Sequence, residues 1–188
     1  MNDPSDADLV ERFLGGDRDA FATLVQRHTT KVYNVAYRML GRPEDARDAV
    51  QEVFLTCLRK LRGFEGRAAF TTWLYRVTVN VCHDALRRRA REQPAHEELP
   101  DLPEDDRTEA AAAAADVHRA LGAIPEEFRT VLVLHDLQGE PYERIAEVLG
   151  APLGTVKSRL HRGRVALGRA LRGEQSGTPT PSNVEDRG

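Results

Sequence analysis

The stretch from Thr155 to Arg172 holds side chains that could recognise DNA. It contains six basic residues and no acidic residue, although the whole chain has a formal net charge of −3. Arg and Lys donate to guanine edges and phosphate oxygens, and Ser and Thr bond to either. With the apolar residues turned inward at helical spacing, we expect six side chains to point outward: Thr155, Lys157, Ser158, Arg159, His161 and Arg162.

A second basic stretch spans residues 59–91, with nine basic residues against two acidic ones, whereas residues 92–116 hold nine acidic residues and one arginine. Two basic patches separated by an acidic strip are typical of a protein that contacts phosphate at two places. Solvated helix faces joined by an acidic linker would give the same charges. Within the patch, four polar residues at i, i+4, i+7 and i+11 share one side of a predicted helix: Arg76, Asn80, His83 and Arg87.

Apolar residues recur at helical spacing along most of the chain, and convincing strand alternation is absent from the sequence. The sequence therefore predicts an all-α fold of two small helical domains joined by an acidic flexible linker. Helices are expected over residues 5–14, 17–40, 43–61, 70–89, 110–122, 125–137, 141–150 and 155–171. The predicted organisation is a first domain over 5–91, the linker over 92–109, a second domain over 110–172 and a disordered tail over 173–188.

The segment YERIAEVLGAPLGTVKSRL, residues 142–160, predicts a helix-turn-helix. Ala146 is small enough for the point where the two helices cross, and Gly150 suits the tight turn between them. Val156 supplies an apolar contact from the second helix, and three leucines complete the small core: Leu149, Leu153 and Leu160. An ordinary helical hairpin with a basic face would share this turn, but the acid-free second helix favours DNA binding.

Nothing in the sequence points to catalysis, a cofactor or a metal site. The neighbours Cys82 and His83 would point about 100° apart on a helix and chelate poorly. Cys57 and Cys82 lie in apolar-periodic stretches, which predicts buried free thiols. The polar, acidic start is not a signal peptide, and no apolar run approaches the ~20 residues of a membrane helix. We therefore expect a cytoplasmic protein that is not an enzyme and does not insert into a membrane.

Three segments resemble one known family, the extracytoplasmic-function sigma factors of bacterial RNA polymerase. IPEEFRTVLVLHDLQGEPYERIAEVLGAPLGTVKSRLHRGRVAL (residues 124–167) resembles their domain 4. DARDAVQEVFLTCLRKL (residues 45–61) is similar to region 2.2, and FEGRAAFTTWLYRVTVNVCHDALRRR (residues 64–89) to regions 2.3 and 2.4. The resemblance implies a protein that binds core polymerase, recognises −35 and −10 promoter elements, melts DNA at the −10 element and so directs initiation.

The resemblance also implies site residues for each DNA element. For the −35 element, Lys157, Ser158 and Arg162 would contact bases, and Thr155, Arg159 and Arg164 would contact phosphate. His161 would tune the preferred sequence. For the −10 element, where a flipped base would enter a pocket formed partly by the loop, the candidates are Phe64, Arg67, Phe70, Arg76, Asn80, His83, Arg87 and Arg88. Trp73 is expected to be a core residue.

Partners follow from the same resemblance. The clamp helices of the largest polymerase subunit would bind five residues on one helix, namely Asp45, Asp48, Gln51, Glu52 and Leu55. Acids placed for the helix dipole would explain the two aspartates but not the Gln–Glu pair. The resemblance further implies contact with the flap of the second-largest subunit, with promoter DNA and with an anti-sigma factor.

Other interpretations remain open on the sequence alone. A simple helix-turn-helix repressor or activator would bind duplex DNA without polymerase, but it leaves the two N-terminal motifs unexplained. A pure interaction protein would not need the DNA-facing side chains. The chain also departs from the family pattern at Ala49, Pro141 and Gly163, where the family often has Leu, Ser and Ala. A glycine inside a helix costs about 1 kcal/mol of propensity relative to alanine.

Overall fold

A computed structural model describes residues 3–64, 66, 68–92 and 109–173, with only the backbone described for 109–111. Its regular elements in these ranges are all helical, which confirms the all-α prediction for this part of the chain. Arg67, the interior of the predicted linker and nearly all of the predicted tail lie outside the described residues. The α-helices are α1 (Asp6–Leu14), α2 (Arg18–Leu40), α3 (Pro43–Lys60), α4 (Phe70–Glu92), α5 (Glu109–Ala123), α6 (Glu126–Leu132), α7 (Tyr142–Leu149) and α8 (Leu153–Leu171). Within the described ranges, none of these helices combines the length and apolar character that crossing a membrane requires.

Local capping interactions set where several helices begin and end. Ser5 and Asp8 form a reciprocal capping box at the start of α1, with each side chain bonded to the other residue's backbone N–H. The Asp17 carboxylate accepts hydrogen bonds from two backbone N–H groups of the first turn of α2. Gly41 ends α2 with a φ of 86°, a left-handed conformation that glycine adopts without strain. The chain can then turn at once into Pro43, the first residue of α3.

One feature of the backbone is not visible in the sequence pattern. After α6 the chain forms a π-helical turn (Val133–Leu137), in which the Gln138 N–H donates to the Val133 carbonyl at 3.1 Å. Such turns hold one extra residue and are frequent at functional positions. This one places Asp136 beside α8, where its carboxylate meets Arg164.

The first domain has its own hydrophobic core between α1, α2, α3 and α4. Its largest fully buried side chains include Leu9, Leu24, Leu61 and Leu74. Asp6 ties α1 to α2, because one carboxylate oxygen accepts from Arg27 at 2.7 Å and the other lies 2.8 Å from His28 Nε2. These contacts hold α1 against α2, which packs in turn on α3 and α4.

A second hydrophobic cluster continues from the first domain into the second, and we call it the shared core. From α2 and α4 it takes residues such as Val35, Met39, Val79 and Cys82, all at most 2% exposed. From the second domain it takes Leu121, Val131, Leu134, Ile145, Val156 and others that are buried to the same degree. The two domains of the all-α fold therefore pack against each other.

Candidate nucleic-acid interface

The helix-turn-helix forms as its spacing predicts. Gly150 ends α7 in the left-handed conformation, with φ at 60°, and the Ala151 N–H returns to the Ala146 carbonyl at 3.1 Å. Val156 and Leu160 of α8 are buried against α7. Helix α8 begins at Leu153, two residues before the predicted start, which adds half a turn ahead of Thr155.

The outer face of α8 is exposed and basic. Lys157, Ser158, His161 and Arg162 are all exposed, and Thr155 is half-buried. The Ser158 hydroxyl donates to the Thr155 carbonyl at 3.0 Å, and Lys157 Nζ lies 5.9 Å from the centre of the Tyr142 ring. Two predicted base contacts, Lys157 and Ser158, thus have interaction partners within the helix-turn-helix itself.

Two other arginines of α8 are paired with acids from outside that helix. Arg164 donates to both carboxylate oxygens of Asp136, at 2.6 and 3.1 Å, and this bonding raises the pKa of the Arg164 guanidinium. Arg159 lies 3.1 Å from a carboxylate oxygen of Glu127. Among the described residues, no side chain forms a hydrogen bond or ion pair with Arg162. Two of the predicted phosphate contacts, Arg159 and Arg164, are therefore held by acids, whereas Arg162 has no such partner among the described residues.

The four-residue row on α4, which we call the α4 row, is divided in this structure. Asn80 and Arg87 are exposed, as is the neighbouring Arg88. Arg76 is exposed as well, and its guanidinium donates to the backbone carbonyl of Glu147 at the end of α7. His83 Nε2 lies 3.1 Å from both Thr130 Oγ1 and a carboxylate oxygen of Glu126, two residues of α6. Three residues of the row are thus exposed, Arg76 among them, whereas His83 is half-buried against the second domain.

An aromatic cluster lies where the loop joins α4. The ring centres of Phe64 and Trp73 are 5.4 Å apart, and Phe70 lies 6.0 Å from Trp73. Phe70 is 5% exposed and belongs to the first core, whereas Phe64 and Trp73 are half-buried at its edge. The ring of the buried His28 lies 5.5 Å from Phe70. The sequence pattern did not predict this contact, because the residues that flank His28, from Gln26 to Lys31, are all polar. Accessible aromatic surface here comes from Phe64 and Trp73.

The predicted polymerase-binding residues share the outer face of α3. Asp48, Gln51 and Glu52 are exposed, and Leu55 is 46% exposed. Asp45 is half-buried at the edge of this face, 3.8 Å from Arg89 of α4. Leu58, one turn beyond Leu55, is also 45% exposed, although apolar helical spacing alone would assign it to the buried side of α3.

Both cysteines are buried thiols, as their positions predict. Cys57 lies in the core of the first domain and Cys82 in the shared core. Burial raises the pKa of each thiol to about 12, so both are protonated near neutral pH. Among the described residues, no group of three or more His, Cys, Asp or Glu side chains is arranged to hold a metal ion.

Two family models match the chain, one in each domain. Sigma-70 region 2 matches residues 24–92, which include α3 and the α4 row. Sigma-70, region 4 matches residues 114–167, which include the helix-turn-helix. The exposed faces of α3, α4 and α8 therefore all lie within the matched segments.

Similar proteins span both domains as well. The chain is 34% identical over 185 residues to the RNA polymerase sigma-H factor of Pseudomonas aeruginosa, covering 91% of this chain and 96% of that protein. It is 40% identical over 167 residues to the ECF RNA polymerase sigma factor SigM of Mycobacterium tuberculosis, covering 89% and 85%. The structure of CnrH in complex with the cytosolic domain of CnrY is similar with a TM-score of 0.71 and 26% identity, covering 90% of this chain and 99% of that chain. The chain therefore belongs to the extracytoplasmic-function group of the sigma-70 family of RNA polymerase sigma factors.

Proposed function

We propose that the chain binds core RNA polymerase and directs promoter-specific initiation by recognising the −35 and −10 elements and melting DNA at the −10 element. The observation that carries this proposal is the exposed, acid-free face of α8 beside the turn at Gly150. A second helix of a helix-turn-helix with such a face fits the major groove of duplex DNA. The chain acts as a non-catalytic initiation factor in the cytoplasm.

At the −35 element, α8 lies in the major groove. Arg162, Lys157 and Ser158 contact base edges, because their side chains are exposed and could reach donors and acceptors in the groove. Arg159, Arg164 and Thr155 contact phosphates, and His161 tunes the preferred sequence. The ion pairs of Arg159 with Glu127 and of Arg164 with Asp136 support this division, since a guanidinium held in place by an acid sets position more than sequence.

At the −10 element, the α4 row and the aromatic cluster hold the separated non-template strand. Asn80 reads a base edge, Arg87 and Arg88 bind phosphates, and the edge of the cluster at Phe64 stacks against a flipped base. Phe70 forms the buried floor of that site. Arg76 and His83 join the contact once their bonds to the second domain are broken.

The outer face of α3 binds the clamp helices of the largest polymerase subunit. Asp48, Gln51 and Glu52 offer acid and amide acceptors to a basic helix, and Leu55 adds apolar area beside them. Asp45 contributes at the edge of this face. The second domain additionally contacts the flap of the second-largest subunit, and an anti-sigma factor masks both domains. The similar CnrH was solved in complex with the cytosolic domain of CnrY.

Run-off transcription with purified core polymerase and a library of genomic fragments tests the proposal. We expect discrete transcripts only when the chain is added, and co-elution of the chain with core polymerase. A repressor or activator would bind duplex DNA without binding core or starting transcripts. If the chain neither binds core nor starts a transcript from any fragment, the proposed function is wrong.

A further inference from the structure

His28 of α2 is a buried ionisable residue that the proposed function does not use. It is 3% exposed, and burial lowers its pKa more than the nearby Asp6 carboxylate raises it, so the ring is neutral near neutral pH. A neutral ring carries one N–H hydrogen, and a carboxylate can only accept. Nε2 therefore holds that hydrogen and donates it to Asp6 Oδ2 at 2.8 Å. This bond sets both the tautomer and the plane of the His28 ring.

The carboxylate that accepts this bond is itself held in place. Asp6 is the first residue of α1, where the positive end of the helix dipole favours an acid. Its Oδ1 accepts from Arg27 at 2.7 Å, and Arg27 also donates to the Asp3 carboxylate and to the Pro4 carbonyl. The acceptor that orients the His28 ring is thus anchored to both α1 and α2.

The His28 ring also contacts the aromatic cluster at the start of α4. The ring centres of His28 and Phe70 are 5.5 Å apart, with planes inclined at 56°. Phe70 in turn meets Phe64 edge to face, with ring centres 6.4 Å apart and planes at 89°. Such pairs depend on orientation, because the positive edge of one ring faces the negative face of the other. A change in the plane of the His28 ring can therefore be transmitted through Phe70 to Phe64.

A second buried histidine, His118, has a different set of contacts. Its Nε2 donates to the Gly41 carbonyl at 2.9 Å, and Arg129 donates to the Met39 carbonyl at 2.6 Å. Both bonds join the second domain to the C-terminal end of α2. The His118 ring stacks on Tyr37, outside the aromatic cluster, with ring centres 4.2 Å apart. His118 therefore offers a control of the same residue type and a similar burial.

We propose that Asp6 and His28 are positioning residues for the −10 site. Through the bond between them, they set the orientation of Phe70 and hence of the Phe64 ring on which the flipped base stacks. This inference rests on the proposed function, because that function places the flipped base at Phe64 above a floor formed by Phe70. His28 is buried, so it acts on the DNA strand only through Phe70.

DNA strands that lack a single base test this role. The probes are the non-template −10 strand of a promoter found by run-off transcription and copies of it that each carry one abasic nucleotide. With the original chain, the abasic position that weakens binding most, by about tenfold, marks the flipped base. We call the affinity for the intact strand divided by the affinity for that abasic strand the base ratio. A merely structural role would weaken binding of both strands alike and leave the base ratio unchanged.

Two full-length variants remove the bond in different ways. His28→Leu keeps an apolar side chain in the buried position but removes both the bond and the ring, whereas Asp6→Ala keeps the ring and removes the acceptor that sets its plane. We expect both to lower the base ratio to about threefold, because the intact strand loses much of its stacking while the abasic strand binds as before. The control His118→Leu should keep the base ratio within about twofold of the original.

An unchanged base ratio in Asp6→Ala would overturn the proposal, and so would an equal fall of the base ratio in His118→Leu. If His28→Leu does not fold, as judged by urea denaturation, Asp6→Ala decides alone. Failure of the proposed function looks different. The original chain would then start no transcript, bind no core polymerase and show no position at which an abasic nucleotide weakens binding.

Discussion

Gly163 of α8 packs directly against Leu132 of α6. A Cβ atom built on Gly163 would lie 3.1 Å from two carbons of the Leu132 side chain and 3.3 Å from the Cβ of Phe128. Leu132 is 1% exposed and therefore has little room to move. The glycine that departs from the family pattern thus permits a close approach of α6 and α8 in this chain.

We expect Gly163→Ala to lower the free energy of unfolding by about 1 kcal/mol. The gain in helix propensity, about 1 kcal/mol, is outweighed by overpacking that costs about 1–3 kcal/mol. Urea denaturation measures the difference. Gly168→Ala on the same helix is the control, because its Cβ would meet only the end of the Arg172 side chain, at 3.5 Å, and should stabilise. Equal stabilisation by both variants would show that α6 moves aside freely.

Arg162→Ala and Arg164→Ala should weaken −35 binding in different ways. Loss of a base contact at Arg162 should cost about 1–3 kcal/mol on the preferred sequence and relax the preference at one base pair. Loss of a phosphate contact at Arg164 should weaken all duplexes alike and reduce the salt dependence of binding by about one phosphate. Fluorescence anisotropy with single-base-pair variants at several salt concentrations separates the two. If Arg162→Ala weakened all duplexes alike and Arg164→Ala relaxed the preference at one base pair, Arg164 would be the base contact and Arg162 the phosphate contact.

Reversing charge on the outer face of α3 should impair polymerase binding alone. We expect Asp48→Lys/Glu52→Lys to weaken binding to core polymerase by about tenfold or more, since it sets like charges against a basic partner. Glu44→Lys is the control, because Glu44 is an exposed acid on the same helix whose nearest cation is Arg47 of that helix. Affinity for the −35 duplex should not change. Comparable losses for the double variant and the control would place the docking surface elsewhere.

Asn80→Ala should slow promoter opening while leaving promoter binding intact. Asn80 is exposed in the middle of the α4 row, where it can bond a base only after the strands separate. Permanganate reactivity of unpaired thymines should therefore appear more slowly on a duplex promoter and at the original rate on a template with a premade bubble. Asn34→Ala, at an exposed position on α2, serves as the control. An equal defect on both templates would argue against a role in melting.

Stability should fall as the pH drops below about 6.5. Burial lowers the pKa of His28, His83 and His118 below the ordinary value of 6.5. The folded chain then keeps these rings neutral where the unfolded chain protonates them, so the unfolded state binds more protons and gains population. The loss runs from the ordinary histidine pKa down to the lowered folded values. Urea denaturation across this range measures it, and His118→Leu should make the dependence shallower; a flat dependence would contradict the burial argument.

The acids contribute in a separate and lower pH range. Hydrogen bonds from Ser5 lower the pKa of Asp8, and a bond from Arg12 lowers that of Asp17. Stability from these carboxylates is present above their ordinary pKa of 3.8 and is lost as the pH falls through the lowered folded values. The histidine effect can therefore be observed before the acid effect begins.

The sequence predicted the helices well because their signals are local. Capping residues such as Ser5 and Asp17, and turns such as Gly41 and Gly150, act within a few residues of the backbone that they control. The start of α8 differs by two residues because Pro152 already permits helix at Leu153. The π-helical turn was not predicted, since one inserted residue hardly disturbs an apolar periodicity.

The contact between the domains could not be predicted from the same patterns. Val79 and Cys82 belong to a buried stripe on α4, and a stripe has the same spacing whether its partner lies in the same domain or in another one. Likewise, Arg76 and His83 fit the row of polar residues on α4, but their partners lie 71 and 47 residues further along the chain. Helical spacing predicts which side chains share a face of a helix, but it does not predict which other element packs against that face.

The bond between Arg129 and Met39 has a consequence for the nascent chain. Its two partners are 90 residues apart, so the end of α2 leaves the ribosome long before its donor is synthesised. Until then, the Met39 carbonyl can accept hydrogen bonds only from water in place of Arg129. The shared-core side chains of α2 and α4 also lack the second domain that buries them in the complete protein. The half-made protein therefore exposes apolar surface that the complete protein buries, and slower translation after the first domain prolongs that exposure.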